Sequence, residues 1–283
     1  METWFIYALL SGLAAGLYSF FLKVSAEKKH NGFLVSTYSM FVASGLALVF
    51  FILSLDKITP ICIFILTAVV NGTFYLVAII TRIASLKNIH TTIYFPIYKT
   101  LGPILMLLVS VFVFSEPLNA YEWVGFVLGI SVPLLLISRS ENSIQTNLRK
   151  GLLYLVVGTV FAVISSATAK VVTVNNLNVF GYIFLSFLIS GFISLTYYKL
   201  TSSQVAESGE KLKRIGILNG VLLFLSVYCF TKSTTGNLAI VYTVNSFSIL
   251  VPIILAVFIY KEHFNLKKFI VIVLTLLSLL FLH

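Results

Sequence analysis

Apolar runs of roughly 18 residues or more recur along this chain, separated by short stretches of charged and turn-forming residues. As a helix, each run would reach across about 30 Å of hydrocarbon at a rise of about 1.5 Å per residue. Divided at its polar breaks, the pattern predicts helices near 4–22, 33–53, 60–80, 91–114 and 120–137. Five more follow near 151–173, 180–198, 215–231, 238–260 and 266–282. The stretches 139–150 and 201–214 are the clearest polar connections. Only Glu2 carries charge before the first run, which is longer than a signal-peptide core, so that run reads as a membrane helix rather than a cleaved leader.

Composition agrees with the pattern. The 283 residues are 59% hydrophobic and 10% charged, well outside the soluble balance. The expected fold is all-α and integral to a membrane, with about ten transmembrane helices. A net charge of +10 would suit nucleic acid, but the basic residues gather in short connections, as at Lys28/Lys29, Arg149/Lys150, Lys211/Lys213/Arg214 and Lys267/Lys268. Topology and lipid headgroups account for them there. The expected partners are the bilayer and a small-molecule substrate, with no nucleic acid; the sequence does not choose between monomer and homodimer. Cys62 and Cys229 lie in apolar runs and form neither a disulfide framework nor a zinc pattern.

Five runs on either side of a linker suggest a duplication. Tyr7-x15-Lys23-Val24 in the first run matches Tyr154-x15-Lys170-Val171 in the sixth, and Asn31 matches Asn178 at the same offset. Asn71-Gly72 matches Asn219-Gly220, while Asn88, Pro103 and Ile104 match Asn237, Pro252 and Ile253 at constant spacing. Glu116-x2-Asn119 then matches Glu262-x2-Asn265. Polar and proline matches in order are harder to obtain by chance than leucine matches. An odd number of helices per half makes the repeat inverted, as in secondary transporters. The division is 1–138 as the first five-helix repeat, 139–149 as linker and 150–283 as the second.

These features, two five-helix units with a lysine closing the first helix of each and proline followed by a terminal glutamate in the fourth, resemble the two EamA-type repeats of the drug/metabolite transporter superfamily. The resemblance covers nearly the whole chain. It implies a ten-helix carrier with a central cavity lined by the first, third and fourth helices of each half, working by alternating access. Gly125-x3-Gly129 fits the glycines of the family's last helix, whereas Val271 and Thr275 stand at the aligned places in the second half. A proton-coupling glutamate within the first helix, found in small multidrug-resistance relatives, has no counterpart between Glu2 and Glu27.

Of the 19 Lys and Arg residues, all but Lys57, Lys99, Lys170 and Lys232 fall to the face that holds the loop after the first helix; Arg82 is assigned to that loop face. The positive-inside rule makes that face cytoplasmic and places both termini outside, whereas the resemblance implies cytoplasmic termini. The charge is the better guide because the loops are short. The plasma (inner) membrane is the expected location.

Lys99 is the most informative single residue. It lies about ten residues into the fourth run and so about 15 Å deep, where an ammonium costs about 3 kcal/mol or more. It reads as a countercharge for an anionic or zwitterionic solute, or as a cation held by a helix C-terminus or buried polar groups. Tyr94 and Tyr98 share a helix face and would give an aromatic, hydrogen-bonding wall, with an interfacial belt as the alternative for Tyr94. Pro96 and Pro103 would either free backbone carbonyls or kink the helix. In the repeat partner, Asn245 stands opposite Pro96 and Ser248 opposite Lys99, with Tyr242 nearby. Asn71, Tyr75 and Asn219 could contribute from the third and eighth helices, or serve as interhelical glue. Lys23 and Lys170 are expected to snorkel to the interface, and Glu116 to cap or pair in a loop.

No phosphate-cradling glycine loop, nucleophile elbow or paired-histidine helix occurs, and neither cofactor, metal nor catalytic residue is expected. The function the sequence favours is secondary transport of a small polar metabolite, outward by family tendency. The alternatives are a lipid-headgroup flippase, a non-transporting membrane subunit and an intramembrane enzyme.

Overall fold

A computed structural model describes residues 2–27, 31–54, 60–136, 147–201, 210–252, 254–255 and 266–283. The secondary structure of the described residues is helical, with no strand among them. In order they form α1 (Thr3–Glu27), α2 (Gly32–Leu53), α3 (Ile61–Leu86), α4 (Thr91–Phe114), α5 (Ala120–Leu135), α6 (Leu148–Val174), α7 (Val179–Thr201), α8 (Glu210–Ser233), α9 (Leu238–Ser246) and α10 (Leu266–Leu282). Seven of these, α1 to α4 and α6 to α8, are long and apolar enough to cross a membrane. The 16 residues of α5 reach only about 24 Å. The second half of the expected 238–260 helix falls largely outside the described residues, so length alone supports many spans without fixing ten.

In lipid the outer surface can be as apolar as the core. Phe112, Leu200, Ile52 and Leu280 are exposed, while Ser11, Ser39, Ser190, Thr159 and Asn219 are fully buried. Polar side chains turn inward because hydrocarbon cannot hydrogen-bond them.

Helix contacts follow the repeat. α1 packs on α8 and α9, and α6 packs on the corresponding α3 and α4; α2 on α8 is mirrored by α7 on α3. α2 with α7, α4 with α9 and α5 with α10 are self-paired. The Asn-Gly matches acquire a physical reason: a Cβ at Gly72 would lie 2.5 Å from the Ser186 carbonyl, and one at Gly220 would lie 2.9 Å from the Ser39 carbonyl. Each glycine lets its helix close on the second helix of the opposite half. Asn31 and Asn178 likewise cap α2 and α7, accepting from Phe33 N–H at 3.0 Å and Gly181 N–H at 2.8 Å.

α5 and α10 pack closely although α10 lacks the family's glycines. Gly125 and Gly129 of α5 provide the room, a Cβ there falling 2.8 Å from Leu282 Cγ and 3.0 Å from Ser278 Oγ respectively, and the Ser278 hydroxyl donates to the Gly125 carbonyl at 2.6 Å. At one end of the molecule the Phe5 and His283 rings meet edge to face at 5.0 Å, so the two termini lie on the same face.

Candidate functional site

The site begins with an interruption in α9. After Ser246 the helix tightens into a 3-10 turn, Phe247–Ile249. Pro252 follows and has no N–H to complete an α-helical bond to the Ser248 carbonyl. Pro103 stands in the same relation to Lys99. α1 reaches this place through Gly16, where a Cβ would lie 2.4 Å from Val251 Cβ and 2.8 Å from the Ser248 carbonyl.

Lys99 donates to the Ser248 hydroxyl at 2.7 Å, with its ammonium 6.0 Å from the Tyr98 ring centre. Tyr94 and Tyr98 stack at 5.8 Å with ring planes 11° apart. Tyr94 is fully buried, which places it in the bundle rather than in an interfacial belt. Tyr98 hydrogen-bonds Tyr242, which also bonds Ser166 on α6. Gly102 makes room for the Tyr242 ring, since a Cβ there would lie 2.9 Å from ring carbon Cε1. Asn245 donates to Ser11 on α1 at 2.8 Å.

The residue missed from the sequence is Arg82. The expected end of the third helix at residue 80 left Arg82 in a loop, but α3 runs on to Leu86 and carries it inside. Its guanidinium sits 5.1 Å from the Tyr98 ring centre and donates to the Tyr94 hydroxyl. Tyr75, two turns earlier on the same face of α3, bonds Tyr18 of α1, which also bonds Ser36. The signal available in the sequence was the pair Tyr75 and Arg82 at helical spacing.

Tyr18, Tyr75, Arg82, Tyr98, Lys99, Ser166, Tyr242 and Asn245 are all half-buried. They come from α1, α3, α4, α6 and α9 and form a polar ring within the helix bundle. Arg82 and Lys99 carry the only charges in this ring, and among the described residues no carboxylate pairs with either. Cation–π contacts and hydroxyls offset part of the desolvation cost.

The asparagines divide. Asn71 accepts from Ser165 on α6 and hydrogen-bonds Tyr182 on α7, tying three helices together beside the ring. Asn219 is fully buried with neither amide atom hydrogen-bonded and takes no part in the contacts around Lys99.

Towards the face holding the termini, Met106, Val163 and Leu238 form a buried apolar plug. Beyond it lies an ion pair between Lys170 and Glu116. Lys170 is 5% exposed and also donates to the Gly236 carbonyl at 2.9 Å, so it does not snorkel as expected. Held inside the bundle, its charge is balanced by Glu116 from the other half. Ser115 takes a left-handed conformation, φ 56°, that turns Glu116 back over the end of α4, its N–H reaching the Ser110 carbonyl at 3.0 Å. The carboxylate then caps α9 by accepting from Leu238 N–H at 3.0 Å. Lys23 and Glu262, the repeat equivalents of Lys170 and Glu116, lie outside the described side chains.

At the opposite, loop-rich face a crevice of about 230 Å³ is lined by Phe33, Lys87, Asn88, Lys150, Tyr154 and Tyr197 among others. Among the described residues no group of His, Cys, Asp or Glu is placed to hold a metal.

The EamA-like transporter family model matches residues 2–138 and 149–283. No curated protein matches the chain. One solved crystal structure superimposes with a TM-score of 0.78 at 14% identity, covering 97% of both chains, a likeness of fold alone.

Proposed function

Because the chain belongs to the EamA-like transporter family, whose pattern repeats across both its halves, we propose that it is a secondary carrier moving a small anionic or zwitterionic metabolite by alternating access. It acts as a multi-pass membrane protein of the plasma (inner) membrane, and no catalytic step is assigned to it. The two units are 1–138 and 150–283, inverted about a linker at 139–149.

The observation that carries this reading is the half-buried polar ring centred on Lys99 and Ser248, the same position in each half. A solute held there touches both halves, so rocking one against the other changes the side from which it is reached. Lys99 supplies countercharge, while Tyr98, Tyr94, Tyr242, Tyr75, Ser248 and Asn245 supply aromatic and hydrogen-bonding walls. Asn71 sits just behind them, and Asn219 is a helix-packing residue.

The plug at Met106, Val163 and Leu238, backed by the Lys170–Glu116 pair, supports reading this conformation as closed towards the face of the termini. By the positive-inside rule the other face is cytoplasmic, and loading from that side fits export. The test is flux in proteoliposomes. Wild-type protein is expected to release a trapped anionic or zwitterionic solute, and Lys99→Met to abolish or redirect that release. No flux for any such solute would remove the carrier reading.

A further inference from the structure

Arg82 narrows the substrate class beyond the carrier reading, on which this inference rests. We infer that Arg82 and Lys99 form a two-cation receptor for a water-soluble dianion, a dicarboxylate or a phosphomonoester. Their charged ends lie above one Tyr98 ring, at 5.1 and 6.0 Å from its centre, and so are no farther apart than the sum of those distances. The two like charges repel each other.

Among the described residues neither has an anionic partner. The acids among the described residues, Glu2, Glu27, Glu116, Glu122 and Glu210, fall at helix ends or in connections. Glu116, the acid nearest the membrane interior among the described side chains, is committed to Lys170 and α9. What Arg82 and Lys99 touch instead is neutral: the Tyr98 ring, the Tyr94 hydroxyl and the Ser248 hydroxyl. The Arg82 Nε–H is buried and has no acceptor at all. A guanidinium with an open edge takes two oxygens of a carboxylate or phosphate side by side, whereas an ammonium binds as a point charge.

Charge balance then selects the solute. A neutral ligand leaves two buried cations uncompensated and a monoanion leaves one, while a dianion balances both. A zwitterion is disfavoured because its ammonium finds no carboxylate here among the described residues and meets a Tyr98 ring already taken by Arg82 and Lys99. The two cations also sit at different depths. Arg82 is about one turn from the end of α3 and Lys99 about two turns into α4, on the side of the basic loops. A dianion entering from that face meets Arg82 before Lys99.

The test measures binding to the purified full chain in detergent by calorimetry and thermal shift, using butanedioate, inorganic phosphate, butanoate and glycine at fixed ionic strength. Butanedioate and phosphate are expected to bind at least roughly tenfold more tightly than butanoate, with no binding of glycine. Arg82→Gln should bring butanedioate down to the butanoate level, and Arg82→Lys should retain much of the preference. Equal binding of butanoate, or binding of glycine, by the wild type overturns the inference, and this comparison stands even if Arg82→Gln does not fold. So does an unchanged ratio in a folded Arg82→Gln protein. Nanodiscs containing phosphatidic acid separate the sources of a phosphate group: displacement of butanedioate by that lipid assigns the site to a headgroup and overturns a soluble occupant. Dianion binding without flux supports the receptor while removing the carrier reading; glycine flux without dianion binding does the reverse.

Discussion

Lys99 and Ser248 hold equivalent places in the two halves and are joined by a 2.7 Å hydrogen bond, so one contact at membrane depth records both the duplication and its divergence. One half kept a charge where the other kept a hydroxyl.

Lys99→Met should lower flux at least tenfold without lowering thermal stability. A buried cation with no carboxylate contributes little to folding, and the apolar replacement removes its desolvation cost. Flux assays paired with unfolding midpoints check this. A large loss of midpoint with flux preserved would make Lys99 a structural residue.

The Lys170–Glu116 pair should behave as a unit. Glu116→Gln or Lys170→Met alone is expected to cost about 3–5 kcal/mol, because each leaves a buried charge unpaired. The double variant should recover much of that loss, short of the cap on α9. A double-mutant cycle measured by denaturant unfolding reads the coupling directly. Additive losses would contradict it.

Glycines offer a steric contrast. A Cβ at Gly16 collides with Val251 and the Ser248 carbonyl, so Gly16→Ala should cost about 1–3 kcal/mol and reduce flux by moving α1 away from the ring. Nothing lies within 4 Å of a Cβ at Gly45, where alanine should be neutral or stabilise by up to about 1 kcal/mol. Equal effects at both sites would argue against close approach of α1 to α9.

Topology can be read with reporters. A fusion after His283 is expected to report the extracytoplasmic side, and one within 139–146 the cytoplasm. The Phe5–His283 contact requires an N-terminal fusion to agree with the C-terminal one. Cytoplasmic signals at both termini would favour the orientation implied by the resemblance over that implied by charge.

Much of the fold was legible in the sequence. The fourth helix, expected at 91–114, is observed as Thr91–Phe114, because a charge-poor run bounded by polar residues leaves the backbone in lipid little choice but a helix. Lys99 announced itself for the same reason: a charge at that depth is conspicuous. The sequence also determined that the chain is duplicated, since ordered Asn, Gly, Pro and Glu matches survive where apolar matches carry no information.

What it could not determine is which side of each helix faces inward. Where lipid and protein are equally apolar, the hydrophobic pattern is nearly blind to direction, so tertiary packing alone turned Arg82 towards Tyr98. A charged residue near the end of an apolar run looks the same whether it leaves the membrane or enters a cavity. Lys170 shows the same ambiguity resolved: the backbone turn at Ser115 brings Glu116 back across the two halves, and a lysine expected at the interface becomes a buried ion pair.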